Sequence, residues 1–279
     1  MMLAFSTNAF TRFPLPAALE GIAAAGFSGV EVLADVPHAY PPTLTPTDRD
    51  QLIAALARLK LTVTNVNANC TFGYWRHAPP EPYFEPSLIS PIERYRQDRI
   101  EMIGQTLQLA RDIGARNISI TTGRCLAEIS PAIAAGRLVE SLKPLLDAAD
   151  RLNIDVGIEL EPGLYLETAI ELRELIGRLN HPRLGANLDI GHSVVNGERI
   201  DESVQTLAGR IWNLHVEDLP GIKHYHQIPG DGNFDWQQLR RVLQSIGYDR
   251  GVTVELYTQS ADPHTAARRS YAFLNALLL

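Results

Sequence analysis

With 279 residues, 45% hydrophobic and 20% charged, the chain can hold one large or two small domains around a sizeable core. A formal net charge of −7 argues against a general nucleic-acid binder, which needs a basic stripe to displace counterions from phosphates. Two cysteines, an N-terminus without a basic and then apolar leader, and no uncharged apolar run of the roughly 18 residues a membrane span needs predict a cytoplasmic protein without a disulfide framework.

Short apolar runs alternate with amphipathic ones along the whole chain. LAFST from Leu3 reads as a strand and LPAALEGIAAAG as a helix closed by Gly26. FSGVEVLAD is a second strand, and TPTDRDQLIAALARLK a second helix with Thr47 or Asp48 as its cap. LTVTNVNAN is the third strand. A proline-rich segment, residues 71–91, follows and reads as a long loop over the mouth of a barrel, since helical periodicity resumes at about Ile92 and runs to Ile113. ARNISITTG is the fourth strand and PAIAAGRLVESLKPLLDAADRLN the fourth helix. IDVGIELEPG, RLGANLDIGH, IWNLHVED and GVTVELY supply strands five to eight. Eight alternations predict a parallel sheet, because parallel neighbours require crossover connections, and such a set closes naturally as a (β/α)8 TIM barrel. An open doubly wound sheet would carry a glycine-rich turn after strand one, where STNAFTRF has no glycine. No linker divides the chain, so residues 1–279 read as a single domain.

Polar residues collect at the ends of the later strands. Glu159, Asp189, His215 and Glu255 stand at or near the ends of strands five to eight, about 25 to 40 residues apart, one strand-plus-helix unit each. A barrel gathers such ends onto one rim, where four residues distant in sequence surround one divalent ion. On strand five, period two places Asp155, Gly157, Glu159 and Glu161 on one face and Val156, Ile158 and Leu160 on the other. Inward carboxylates are costly unless paired or metal-bound, and a salt bridge to a rim Arg or Lys is the competing explanation. Two Glu, one Asp and one His make an oxygen-rich donor set that suits Mn²⁺, Mg²⁺ or Co²⁺, with Zn²⁺ also admitted. Asn65, Asn67 and Asn69 share one face of strand three and need hydrogen-bond partners, either substrate hydroxyls or rim side chains; Glu31 poses the same choice. His224 and His226 lie two apart in a loop before Gly230 and Gly232, either solvated or in contact with substrate, and Asp235 reads as the next helix cap. Phe72, Tyr74 and Trp75 either wall a sugar site or pack for structural reasons. No G-x-S-x-G elbow or P-loop is present, and Cys70 and Cys125 sit in no nucleophile motif.

These residues resemble the xylose isomerase-like TIM-barrel superfamily, the sugar phosphate isomerase/epimerase proteins, from GFSGVEVL through GVTVEL. ELEPG is similar to that family's Glu-Asn-His-Pro-Gly turn, which makes Glu159 rather than Glu161 the ligand. LDIGH resembles its Asp-Thr-Gly-His, LHVED its His-Val-Lys-Asp, and PGDGNFDW its Pro-Gly-x-Gly-x-Ile-Asp-Trp. The resemblance implies one divalent ion on Glu159, Asp189, His215 and Glu255, which stabilises an enediolate by Lewis acidity. It further implies that Glu159 and Glu255 move the proton on carbon, and that His192 and Glu161 hold substrate hydroxyls. Glu161 stands where the family more often has His. An added carboxylate disfavours an anionic group, which points to a neutral ketose, inosose or keto-polyol rather than a sugar phosphate. The same superfamily admits an inosose dehydratase on the same site and a zinc phosphodiesterase of the endonuclease IV type. That enzyme has Asp where this chain has His224. A non-catalytic sugar-binding barrel is a further alternative. The apolar C-terminal YAFLNALLL leaves a packed terminus and a homo-oligomer interface both open.

Overall fold

A computed structural model describes residues 1–77, 84–126 and 129–278. Strands β1 (Met2–Ser6), β2 (Gly29–Leu33), β3 (Thr62–Asn67), β4 (Asn117–Ile120), β5 (Asp155–Glu159), β6 (Leu184–Asp189), β7 (Ile211–Val216) and β8 (Gly251–Val254) pair in parallel with their sequence neighbours, and β8 closes on β1. Around them lie α1 (Leu15–Ala24), α2 (Pro46–Leu59), α3 (Glu93–Asp112), α4 (Pro131–Leu152), α5 (Ala169–Leu179), α6 (Ile190–Val195), α7 (Ile200–Thr206), α8 (Trp236–Ser245) and α9 (Pro263–Leu278). This is the expected (β/α)8 barrel.

The strand alternation divides two environments. Val30, Val32, Val156, Ile158, Leu214 and Val252 face the helices and are fully buried in the apolar layer. The lumen is polar, although barrel interiors are usually filled by branched apolar side chains. Below the mouth its amides satisfy one another: Asn213 Nδ2 donates to Asn187 Oδ1 at 2.8 Å, and Thr253 Oγ1 to Asn213 Oδ1 at 2.9 Å. At the N-terminal rim Asp155 Oδ2 accepts from Arg250 at 2.8 Å, and its Oδ1 lies 3.3 Å from Arg183.

Two local expectations are corrected. The cap of α2 is Thr45, not Thr47 or Asp48. Thr45 Oγ1 accepts from Asp48 N at 3.2 Å, and Asp48 Oδ2 accepts from Thr45 N at 3.1 Å. Pro46 suits the first helical position because it needs no N–H partner, which places the cap at Thr45, two residues before Thr47. The run GANLDIGH does not remain a strand: β6 stops at Asp189, whose Oδ1 accepts from His192 N at 2.8 Å and caps α6.

The described ends of the proline-rich segment pack on the barrel. Thr71 Oγ1 and Trp75 Nε1 donate to Glu85 O at 2.8 and 2.7 Å, and Leu88 and Ile89 are fully buried. Residues 78–83 of that segment lie outside the described residues. The buried Arg99 of α3 donates to Ala68 O at 2.6 Å and to Asn69 O at 3.3 Å, which fixes the chain as it leaves β3. Among the described residues, no helix is long and apolar enough to cross a membrane.

Candidate active site

The polar strand ends converge at the C-terminal mouth of the barrel. One ligand atom each from Glu159, Asp189, His215 and Glu255 lies within 4.8 Å of the others, and all four residues are buried. His215 Nδ1 stands 3.2 Å from Glu159 Oε2 and 3.5 Å from Glu255 Oε2. Its other nitrogen, Nε2, is 2.6 Å from Glu31 Oε2. A carboxylate only accepts, so Nε2 carries a proton toward Glu31, and Nδ1 is the nitrogen that faces the two glutamates and that an ion would take once it is deprotonated. Metal-binding histidines are oriented in this way by a carboxylate behind them.

Amides hold the carboxylates in place. Asn69 Nδ2 donates to Glu159 Oε2 at 2.7 Å, and Asn187 Nδ2 donates to the same oxygen. Asn8 Nδ2 and Asn67 Nδ2 donate to Glu255 Oε1 at 2.8 and 3.1 Å, and Asn65 Nδ2 donates to Glu31 Oε2 at 2.7 Å. Asp189 spends Oδ1 on the cap of α6, while its Oδ2 is buried with no N–H donor, and Asp189 shares a hydrogen bond with the carboxyl group of Glu217. A desolvated carboxylate oxygen without a donor is costly unless a cation neutralises it. Two Glu, one Asp and one imidazole whose Nδ1 is aimed at the same point fit a divalent ion there.

The titration behaviour expresses the same surplus of negative charge. Burial opposes charge on His215, but Glu255, Glu31 and Glu159 outweigh it and hold its pKa well above the usual histidine range. Burial also opposes charge on His192, yet Asp189, Glu161 and Glu159 raise its pKa to about 9. Burial, with Glu159 and Asp189 nearby, lifts Glu161 to about 7 although His192 pulls it down. Burial first, then the neighbouring acids, pushes Glu255 and Glu217 well above the carboxylate range. His226 falls to about 3, chiefly through burial and then through its neighbour His224. Among the described residues, none of Glu31, Glu159, Glu161, Asp189, Glu217 and Glu255 forms an ion pair with Lys or Arg.

A cavity of about 450 Å³ opens over this cluster, a size that suits a small-molecule site. Glu159, Glu161, His192, His224, His226 and Glu255 line its polar side, and Phe72, Phe84 and Tyr257 are among its aromatic neighbours. The model of the xylose isomerase-like TIM barrel matches residues 19–277. The chain belongs to this family. A fructoselysine 3-epimerase of Escherichia coli O157:H7 is 26% identical over 273 residues, covering 96% of this chain and 94% of that protein. The solved structure of a D-tagatose 3-epimerase-like protein superposes with a TM-score of 0.80 at 20% identity, covering both chains fully. That of the IOLI protein with a bound zinc atom gives 0.80 at 18% identity, covering 100% of this chain and 98% of that one.

Within this xylose isomerase-like barrel, the sequence candidates separate by role. Glu159, Asp189, His215 and Glu255 come together as one cluster, with Glu161 and His192 beside it: His192 Nε2 is 3.7 Å from Glu161 Oε1. His192 Nδ1 contacts Leu160 O at 2.7 Å, and His226 Nδ1 contacts Glu255 O at 2.9 Å, so both rings are fixed and buried rather than solvated. His224 sits between them, its ring centroid 4.5 Å from that of His192 and 4.1 Å from that of His226. Asn67 lines the cavity, but its amide donates to Glu31 and Glu255. Phe72 reaches the cavity, whereas Tyr74 and Trp75 pack edge-on against Tyr95.

Asn8, Asn187 and Glu217 escaped the sequence reading. Asn187 and Glu217 stand two residues from Asp189 and His215, so period two would have placed them on the same faces. Asn8 lies just beyond β1, where no pattern marks it.

Proposed function

We propose that the chain is a divalent-metal-dependent epimerase or isomerase of a small polyhydroxy carbonyl compound. That it is an enzyme rests on its sugar-epimerase relatives. The observation that carries the metal is the cluster of Glu159, Asp189, His215 and Glu255 beneath an open cavity, with Asp189 Oδ2 lacking an N–H donor. These four would hold the ion, which would supply Lewis acidity toward a carbonyl and its neighbouring hydroxyl.

The protein's own groups do the rest. Glu159 and Glu255 flank His215 Nδ1 through their Oε2 atoms. Each keeps a carboxylate at the cavity while amides fix its orientation, so one removes the proton on carbon and the other returns it. His192, Glu161, His224 and His226 hold substrate hydroxyls, and the aromatic wall of Phe72, Phe84 and Tyr257 limits water. No Lys or Arg is among the described residues lining the cavity, and Glu161 adds a carboxyl group there. His192, the cationic group among the described lining residues, is already held by Asp189, Glu161 and Glu159, which favours a neutral ketose, inosose or keto-polyol over a sugar phosphate.

The test is solvent deuterium exchange at the carbon beside the carbonyl, across a panel of keto-sugars, on Mn²⁺-loaded protein. Exchange that Glu159→Gln and Glu255→Gln abolish while keeping their fold is the expected result. Full exchange in either variant would sink the role given to it.

A further inference from the structure

The N-terminal rim, opposite the mouth, holds a surplus of the other sign. A cavity of about 530 Å³ opens there between the turns that lead into β4 and β5, and Arg111, Arg116, Arg183 and Arg250 line it. Asp155 is the one acid among the described residues lining it. It accepts from Arg250 at 2.8 Å and lies 3.3 Å from Arg183, which also reaches Asp150 at 3.2 Å. Two carboxylates thus answer four guanidinium groups, and two positive charges are left over. Among the described residues, neither Arg111 nor Arg116 forms an ion pair.

The fold sets most of these groups in place. Arg111, in the last turn of α3, donates through Nη1 to Leu152 O at 3.0 Å, at the end of α4. Arg183 Nη2 donates to Asn153 Oδ1, and the Arg250 guanidinium stacks 4.2 Å from the Trp212 ring centre. A guanidinium carries five N–H groups, so Arg111 and Arg250 keep donors to spare. Arg116, just before β4, is exposed and its side chain has no partner. Helix-end carbonyls explain a cation at Arg111 but not one at Arg116. The turn between them also stays open: Gly114 has φ +75°, and a Cβ there would meet no atom within 4 Å. The chain as a whole carries −7. Screening acts over about 8 Å at physiological salt, so an anion in this cavity responds chiefly to the guanidinium groups around it.

We propose that this cavity binds a phosphorylated small molecule, with Arg111 and Arg116 taking the phosphoryl group. The planar fork of a guanidinium matches phosphate oxygens two at a time. A cavity of this volume holds more than a phosphoryl group, so the ligand carries an organic part that Arg183 and Arg250 border. The two ends of the barrel then divide by charge. The mouth, crowded with carboxyl groups, favours a neutral substrate, and the opposite rim takes an anion. Asp155 and Glu159 mark the two ends of β5, so the anion site is separate from the proposed catalytic centre and does not depend on it.

The experiment is calorimetric titration with inorganic pyrophosphate on the chelator-stripped full chain, at about 0.15 M salt. Stripping prevents an ion at the mouth from capturing the probe. One site per chain is expected. Arg116→Gln should weaken binding about tenfold, the worth of one hydrogen bond to a charged group. Arg116→Lys, which keeps the charge without the fork, should fall between the two. Arg111→Gln combined with Arg116→Gln should abolish the site, and because both side chains are exposed the fold should survive, as a melting curve would show. No saturable heat with pyrophosphate overturns the proposal. An affinity that Arg116→Gln leaves unchanged overturns it too, since the anion is then bound elsewhere. Citrate binding more tightly than pyrophosphate would overturn the phosphoryl assignment in favour of a carboxylate ligand.

Discussion

At the N-terminal rim of the barrel Asp155 sits between Arg250 at 2.8 Å and Arg183 at 3.3 Å, with the Arg250 guanidinium stacked 4.2 Å from the Trp212 ring centre. At the opposite mouth six carboxyl groups crowd together, and among the described residues no Lys or Arg answers them. Both acids of strand β5, Asp155 and Glu159, point into the same lumen, one at each end. The arginine salt bridge that explains the first is absent at the second, which meets His215 Nδ1 at 3.2 Å instead. An acid neutralised by the fold contributes to stability, whereas an acid left to be neutralised by something else marks a site. Neighbouring residues repeat the lesson at the mouth itself: Asp218 is saturated by four N–H donors and ties the loop holding Gly230 to β7, while Glu217 meets no N–H donor and has only the carboxylate of Asp189 as its partner.

Breaking the mouth should change activity far more than stability. Glu159→Gln or Glu255→Gln is expected to lower kcat by about 10²- to 10⁴-fold, the usual worth of a positioned acid or base. The melting temperature of the chelated variant should stay level or rise, since a crowded charge is removed. A steep loss of stability alongside the loss of turnover would instead make these residues structural.

The saturated acid should behave in the opposite way. Asp218→Ala leaves four donors without their acceptor, three of them backbone N–H groups, and should cost about 3 kcal/mol in urea unfolding. A change below about 0.5 kcal/mol would mean that water replaces the carboxylate and that the contrast with Glu217 is false. Metal removal sharpens the same comparison from the other side. Mn²⁺ at about 100 times its Kd should stabilise the wild type by about 2.7 kcal/mol, since a ligand that binds only the folded state adds RT ln(1 + [L]/Kd). Thermal melts of Glu255→Gln over the same Mn²⁺ range should show a smaller gain.

The smallest effect belongs to the N-terminal rim. Asp155→Asn should cost about 1 kcal/mol, because partly exposed ion pairs contribute little, and should leave kcat unchanged. A drop in turnover there would couple the two ends of the barrel and undo the separation drawn between them.

The barrel and the four acid and imidazole positions were legible because they depend on short-range rules. Strand–helix alternation dictates parallel pairing, and the C-terminal ends of parallel strands share a rim. The roles of the surrounding amides were not legible. Asn65 and Asn67 belong to a face that needs partners, yet whether those partners are sugar hydroxyls or Glu31 and Glu255 depends on strands β2 and β8, far away in sequence. Glu31 carried the same ambiguity until β7 brought His215 Nε2 to it.

The sequence by itself determined the closed parallel barrel, the apolar faces that wrap it, and the strand ends at which ionisable groups gather, because periodicity and connection length are local properties of the chain. Only the tertiary structure decided which buried acids are answered and which are not. Asp155 and Asp218 meet N–H donors, and Glu217 and Asp189 Oδ2 do not, through contacts across the barrel and its loops. Neutralising a buried charge requires a partner within a few ångströms in space, and distance along the chain does not report that.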